Sequence, residues 1–415
     1  MDEPWPRFLL YSHDSVGLGH VRRSLSIAWG LSVAFPSASL LCVTGSPLAP
    51  SFTYPPRTDC LQLPAARKNE SGEYVARNDA IPFTQLLALR STMIDACIRS
   101  YRPHLVLVDH TPLGLAGELI GALRRARVED PGIRIVMGLR DIYDDSAAVR
   151  RTWPRGGVLR ALESIYDRIL VYGQRTVFDI EREYALTPET ARKVVYTGYV
   201  HWRTEVAEPT DVIRSRLGVG DSPLVLVTVG GGDDGHEIIQ QYLDGLGAMG
   251  SRCPWRSLIV TGPLMRGSHQ ETIKATARLT PGVSVVKFTP NFQDYVAAAD
   301  VVVTMGGYNT VTEVLARGGK RVIVVPRISP RKEQLVRAQR LSQRGLLQLL
   351  HPSRCTSAEL VAAVRQAFSK PLSAGSGNLD FGGVHGTVSA IANLLGVARS
   401  YQRLALNSLS SLFRS

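Results

Sequence analysis

A chain of 415 residues with 44% hydrophobic and 20% charged side chains has the composition of a folded protein large enough for two domains with separate cores. Its formal net charge of +12 comes from arginine spread along the chain, with no lysine-rich tail or aromatic-interleaved basic run, which argues against nucleic acid as a partner. No apolar run nears the ~20 residues of a membrane span, the start MDEPWPRFLLYSHD is wrong for a secretory signal, and Cys42, Cys60, Cys97, Cys253 and Cys355 show no paired spacing, so a cytoplasmic location without a thiolate metal site is expected.

The first predicted strand, 8–12, runs into HDSVGLGHVRRSLSIAWGL. Gly17 and Gly19 permit a tight turn, and His20 then starts a helix whose apolar face carries Leu25, Ile27, Ala28 and Leu31. Arg22-Arg23 stand where a dinucleotide fingerprint needs its third glycine, which argues against a site of that kind. A neutral imidazole at His20 suits removal of a proton from a hydroxyl, or a plain hydrogen bond to the loop or a phosphate. Arg22 and Arg23 suit diphosphate oxygens, or form a surface pair with acidic neighbours.

Further strands are predicted at 39–44, 105–109, 133–139 and 169–172, each followed by a helical stretch, the pattern of a parallel, doubly wound sheet. Strand 105–109 ends in Asp109-His110-Thr111-Pro112 and the next in Gly138-Leu139-Arg140-Asp141. Asp109 is a second candidate for the base, or the carboxylate that orients His20, or a cap for the next helix. Residues 67–79 are polar and charged, and read as an acceptor-side loop or a disordered excursion.

The pattern loosens over TGYVHWRTEVAEP at 197–209, the expected connection between domains. Alternation then restarts with strands at 224–229, 257–260, 283–288, 301–304 and 321–325. In VTVGGGDDGHEIIQ, Gly230, Gly231 and Gly232 offer backbone N–H groups ahead of a helix, a place for a diphosphate. The adjacent Asp233 and Asp234 would repel it unless they cap the helix or bind a cation; they are not a D-x-D metal-binding pair, and no obligatory metal or other cofactor is expected.

Over 301–334 a strand ends in Gly306-Gly307, a helix begins with Asn309 and Thr310, and the next strand stops at Pro326 before Glu333-Gln334. Polar groups gather where parallel strands end, which is where open sheets bind ligands. Glu313, about two turns into the helix, suits the hydroxyls of a ribose. The tail reads as an amphipathic helix at 357–368, a glycine-rich loop at 371–386, and helices at 388–395 and 400–413.

The order GGYNTVTE, VIVVPR, EQLVRAQRL resembles the donor-binding half of GT-B glycosyltransferases of family 28, over roughly half the chain. The resemblance implies an α/β GT-B fold, two Rossmann-like doubly wound domains facing across a cleft. The domains would be 1–200 on the acceptor side and 201–385 on the donor side, with a tail at 386–415 crossing back to the first. It also implies that Glu313 holds the ribose, that Glu333 and Gln334 hold the donor sugar, and that the 230–232 loop receives the diphosphate. TGYVHWR matches the family's hinge segment at Gly198 and Arg203, which brings Arg203 to the phosphates. Phe288 corresponds to the loop that packs on the base.

The activity so implied is transfer of a hexose, by family precedent N-acetylglucosamine, from a UDP-sugar to an acceptor hydroxyl with inversion. His20 or Asp109 would assist deprotonation. A lipid-linked acceptor would bring the protein to the inner face of a membrane, in keeping with its positive charge. The rival readings are a UDP-sugar 2-epimerase of the same fold and a non-catalytic sugar-nucleotide binding or partner subunit.

Overall fold

The computed structural model describes residues 6–13, 19–69, 73–201, 208–289, 291–370 and 379–396. Contacts divide the chain into two units, Met1–Trp202 with Asp380–Ser415, and Arg203–Leu379.

The first unit is built on β1 (Arg7–Ser12), β2 (Ser39–Thr44), β3 (Thr58–Gln62), β6 (Leu105–Asp109), β7 (Arg134–Arg140), β8 (Arg168–Tyr172) and β9 (Val194–Tyr196). They form one parallel sheet in the order β3-β2-β1-β6-β7-β8-β9. The apolar runs of β1 and β6 are buried along almost their whole length, as strands covered by helices on both faces must be. The chain leaves β1 through the helix Gly19–Ala34 to reach β2, then returns to β1's other side as β6. Strand order therefore reverses between β1 and β6, whose last residues, Ser12 and Asp109, are register partners. That reversal is the place where such sheets bind ligands.

Between β3 and the helix Phe83–Tyr101 lies an antiparallel hairpin, β4 (Ala66–Lys68) with β5 (Tyr74–Ala76). The sequence suggested a loop or disorder here, because period-2 alternation is masked by charge. Arg67 and Asp79 in fact form an ion pair of 2.7 Å, and Ala66 and Ala76 are buried with Leu86 and Leu115.

The second unit carries β10 (Leu224–Thr228), β11 (Arg256–Val260), β12 (Val283–Val286), β13 (Val301–Thr304), β14 (Arg321–Val324) and β15 (Gln348–Leu349). Their order is β12-β11-β10-β13-β14-β15, again all parallel, and reverses between β10 and β13. One face of its core joins Val225, Val227, Val303 and Ile323 to Ile239, Leu243, Leu360 and Val364. The last two lie on the helix Ser357–Ser369, which a Thr356–Glu359 capping box starts.

The second unit ends at Leu379, and residues from Asp380 onward belong to the first, six residues before the tail boundary read from sequence. Tyr199 donates its N–H to the Asp380 carbonyl at 2.7 Å, and the helix Gly383–Leu394 packs on Gly19–Ala34 and β8. Its start is hidden in the glycine-rich run because those glycines serve contact. A Cβ on Gly383 would lie 2.4 Å from the Tyr199 carbonyl carbon, and one on Gly386 2.2 Å from the Thr197 oxygen. The helix expected at 400–413 lies outside the described residues. Among the described residues no helix is long and apolar enough to cross a membrane.

Candidate active site

In the first unit the ends of β1 and β6 bring His20 and Asp109 together. His20 stands in the first turn of its helix, and its Nδ1 lies 2.6 Å from Asp109 Oδ2. Arg23, one turn on, donates from Nε to Oδ1 at 2.8 Å and from Nη2 to Oδ2 at 2.6 Å. Side-chain exposure is 14% for His20, 3% for Asp109 and 1% for Arg23. Burial alone would raise the Asp109 carboxyl, but Arg23 and the bond from His20 outweigh it and hold the group well below the usual carboxylate range. An ionised carboxylate only accepts, so His20 donates Nδ1–H and keeps the lone pair on Nε2. Burial lowers the His20 pKa to about 4; Asp109 opposes this, while Arg23 and Arg140 add to it. The imidazole is thus neutral at pH 7 and oriented, as a general base must be.

Other rings close around it. His13 meets His20 edge-on at 4.9 Å between centroids, and His110 lies at 5.2 Å, with Tyr143 4.8 Å beyond. His110 takes a left-handed backbone, φ 62°, which lets its N–H reach the Gly138 carbonyl at 2.6 Å. Arg140 faces the His110 ring, with Nη2 2.7 Å from Nε2.

These contacts select among the sequence readings. Asp109 neither stands alone nor caps a helix: it sits behind His20. Arg23, expected at a diphosphate or on the surface, is buried against Asp109, whereas Arg22 is only partly buried. Gly19 opens the helix, and Gly17 lies outside the described residues.

In the second unit the glycine loop follows β10. Gly230 and Gly232 have φ of 65° and 92°, and a Cβ on Gly232 would lie 2.1 Å from the Thr261 carbonyl oxygen. The turn after β13 is of the same kind. Gly306 has φ 83°, and Gly307 precedes the helix Tyr308–Arg317, which no side chain caps. A Cβ on Gly230 would lie 3.9 Å from Thr310 Oγ1, so the two turns adjoin, with Gly231, Asn309 and Thr310 along them. Two glycine turns opening onto helix N-termini are suited to an anion. Glu313 is buried in the second turn of its helix.

Glu333 and Gln334 open the helix Glu333–Ser342. Arg327 connects them to the glycine loop. Its N–H donates to Gln334 Oε1 at 3.0 Å, Nη2 donates to Glu333 Oε1 at 2.8 Å, and Nη1 donates to Asp234 Oδ2 at 2.9 Å. This answers the expected repulsion: Asp234 does not cap the helix His236–Met249, whose cap is Gly235, but binds a side-chain cation. Phe288 follows β12 and is 45% exposed, and Arg203 lies outside the described residues.

Residues 224–378 match the glycosyltransferase family 28 C-terminal domain. Over these residues the second unit is similar to family 28 C-terminal domains. The chain is 25% identical over 215 residues to an uncharacterized glycosyltransferase of Methanopyrus kandleri, covering 51% of this chain and 56% of that one. It is 26% identical over 216 residues to the UDP-N-acetylglucosamine–N-acetylmuramyl-(pentapeptide) pyrophosphoryl-undecaprenol N-acetylglucosamine transferase of Desulforudis audaxviator, covering 51% and 57%. It thus spans about half the length of the curated relatives it matches. Among solved structures, MurG of Acinetobacter baumannii superposes with a TM-score of 0.59 at 16% identity, over 94% of this chain and 100% of that one. The architecture of the chain is GT-B, two Rossmann-like parallel sheets in succession.

Two buried arginines escaped the sequence reading. In the second unit, Arg337 donates Nη1 to the Gly306 carbonyl at 3.0 Å and lies over the Tyr308 ring, which fixes the glycine turn. In the first unit Arg90 donates to Glu118 at 2.6 and 2.7 Å and to the Pro64 carbonyl at 2.7 Å, while Tyr11 donates its hydroxyl to Glu118. Both sit on helices whose alternation of apolar and basic residues reads as an ordinary amphipathic surface. For Arg337 a signal was present: it lies one turn after Glu333 on the face that carries Ala338 and Leu341 into the core.

Proposed function

We propose that the protein transfers a hexosyl group from a UDP-sugar to an acceptor hydroxyl with inversion at the anomeric carbon. The observation that carries this reading is the family 28 domain with its two adjoining glycine turns and the buried carboxylates Glu313 and Glu333. His20 Nε2 takes the acceptor's proton as the hydroxyl oxygen attacks the anomeric carbon, and the bond from that carbon to the diphosphate breaks to release UDP. The imidazolium that forms is stabilised through Nδ1–H by Asp109. Charge growing on the diphosphate is met by the N–H groups of the glycine turns, without a metal ion. Glu313 holds the ribose, Glu333 and Gln334 hold the sugar, Phe288 packs by the base, and Arg203 contacts the phosphates.

N-acetylglucosamine is the proposed sugar and a lipid-linked molecule at a membrane surface the proposed acceptor, on the strength of the Desulforudis relative's name. Both relatives are named as transferases, which favours transfer over epimerisation. Calorimetric titration with UDP, TDP and GDP in the absence of metal tests the reading. Selective binding of UDP supports it, and binding of none of the three overturns it.

A further inference from the structure

We propose that Arg23 is a positioning residue for His20, acting through Asp109, and that Tyr172, seated in the space left by Gly138, holds the Arg23 guanidinium in place. The inference rests on the reading of His20 as the base.

The geometry is specific. His20 and Arg23 are three residues apart on one helix, so both side chains fall on the same face. Arg23 grips both oxygens of Asp109, whereas His20 uses only Oδ2, which it shares with Arg23 Nη2. The two donors converge closely enough that Nη2 lies 3.0 Å from His20 Nδ1. The plane of the carboxylate is therefore set by the bidentate partner, and the imidazole takes the orientation that plane leaves to it. Arg23, at the start of the helix's second turn, is held in place by its ion pair with Asp109.

The second contact of Arg23 traces back to a glycine. Its Cζ lies 5.7 Å from the centroid of the Tyr172 ring, within cation–π range. Tyr172 ends β8 and is fully buried, next to β7. Its ring stands where a side chain at position 138 would be: a Cβ on Gly138 would lie 1.9 Å from Tyr172 Oη and 2.5 Å from Cζ. Residue 138 is extended strand, where any residue fits the backbone, so it is the space beside it that calls for glycine. The relay runs from the gap at Gly138 to Tyr172, Arg23, Asp109 and His20.

The Arg23 charge acts on His20 through space whatever its structural role, so the orienting role is read from Arg23→Lys, which keeps the charge and loses the bidentate grip. The charged and titratable groups facing His20 are Asp109 at the end of β6, Arg23 on its own helix, Arg140 at the end of β7, His13 after β1 and His110 after β6. Removing Arg23 takes away a cation and leaves Asp109 undivided to the imidazole, and both changes favour the protonated ring.

The test is a nitrogen-detected NMR titration of the His20 imidazole in the full chain. Arg23→Met is expected to raise its pKa by about one unit or more, and Arg23→Lys, which keeps charge but loses the second arm, by less. Gly138→Ala, which displaces Tyr172, is expected to move it in the same direction. With UDP-sugar as donor, Arg23→Lys lowers kcat and leaves KM for the donor near its starting value. Unchanged His20 titration in Arg23→Met overturns the proposal; should that variant not fold, unchanged titration in both Arg23→Lys and Gly138→Ala overturns it. A wild-type chain that transfers no sugar overturns the proposed function, and the titration still decides the role of Arg23.

Discussion

Asp234 and Arg327 are 93 residues apart in the chain and 2.9 Å apart in space, and the same guanidinium holds Glu333 at 2.8 Å. One cation thus ties the glycine loop after β10 to the helix that follows β14. Replacing it takes a cation from the buried Glu333, at a cost of about 2–3 kcal/mol. Arg327→Met is expected to lower the urea midpoint accordingly and to raise KM for the donor by roughly tenfold. Adding Glu333→Gln should recover part of the stability, since the buried charge is then gone. A double-mutant cycle with no coupling between the two positions contradicts the tie.

The same contact bears on metal dependence. Asp234 is engaged by a guanidinium, so the Asp233-Asp234 pair does not present two carboxylates to a cation. Transfer is expected to survive EDTA undiminished. A strict requirement for Mg²⁺ would mean that Asp234 leaves Arg327 in the working enzyme.

The central strands were legible because burial on both faces demands apolar runs: β1 carries Phe8, Leu9, Leu10 and Tyr11, and β6, β10 and β13 are Leu and Val but for their last residue. Edge strands face no such demand, and β3, whose sequence is TDCLQ, carries no such run. The glycine turns, Glu313 and Glu333 could be read in place because each lies beside its strand in sequence. The pairing of His20 with Asp109 was readable only as one alternative among three, for 89 residues separate them and only the order β1-β6 brings their ends together. Arg23 was likewise open between a diphosphate and acidic neighbours at the surface. It is buried against Asp109 instead, a partner supplied by a strand no local pattern reveals.

His20 makes acid stability a test of the site. Its folded pKa of about 4 lies below the ordinary imidazole value of 6.5, so the unfolded chain binds the extra proton first. This contribution to stability is whole above pH 6.5, declines as pH falls, and is exhausted near pH 4. Between pH 7 and pH 5 the loss from this residue is roughly 2 kcal/mol. Asp109, depressed in the fold, adds a further loss only below the ordinary carboxylate range. Urea melts of wild type and His20→Gln at both pH values isolate the term, because the variant lacks it. The same pKa predicts that kcat/KM shows no descending limb near pH 6.5, and a fall centred there contradicts a base held neutral by burial.

The Arg90–Glu118 pair anchors the first unit beneath the site. Both side chains are fully buried, and Arg90 also lies 3.5 Å from the His13 carbonyl, just after β1. Glu118→Ala strands a buried guanidinium and is expected to cost about 3–5 kcal/mol in a denaturant titration. Replacing both partners, Arg90→Met with Glu118→Leu, should cost distinctly less, because no charge is left without a partner. Equal losses in the single and double variants contradict a simple pair and assign the stability to packing instead.

Glu313 is buried in the second turn of the helix that begins after Gly307, a depth at which a carboxylate reaches a diol but not a phosphate lying at the helix start. One hydrogen bond to a charged acceptor contributes about 1.5–3 kcal/mol, so Glu313→Ala should weaken UDP binding by at least roughly 10- to 100-fold. The effect should also be selective. Wild type is expected to bind UDP more tightly than 2′-deoxy-UDP, and the variant to bind both alike, since the group that senses the missing hydroxyl is gone. Calorimetry on the four combinations gives the answer directly. If Glu313→Ala binds UDP as wild type does, the ribose assignment falls; if affinity drops but the preference persists, Glu313 shapes the glycine turn and another group reads the sugar.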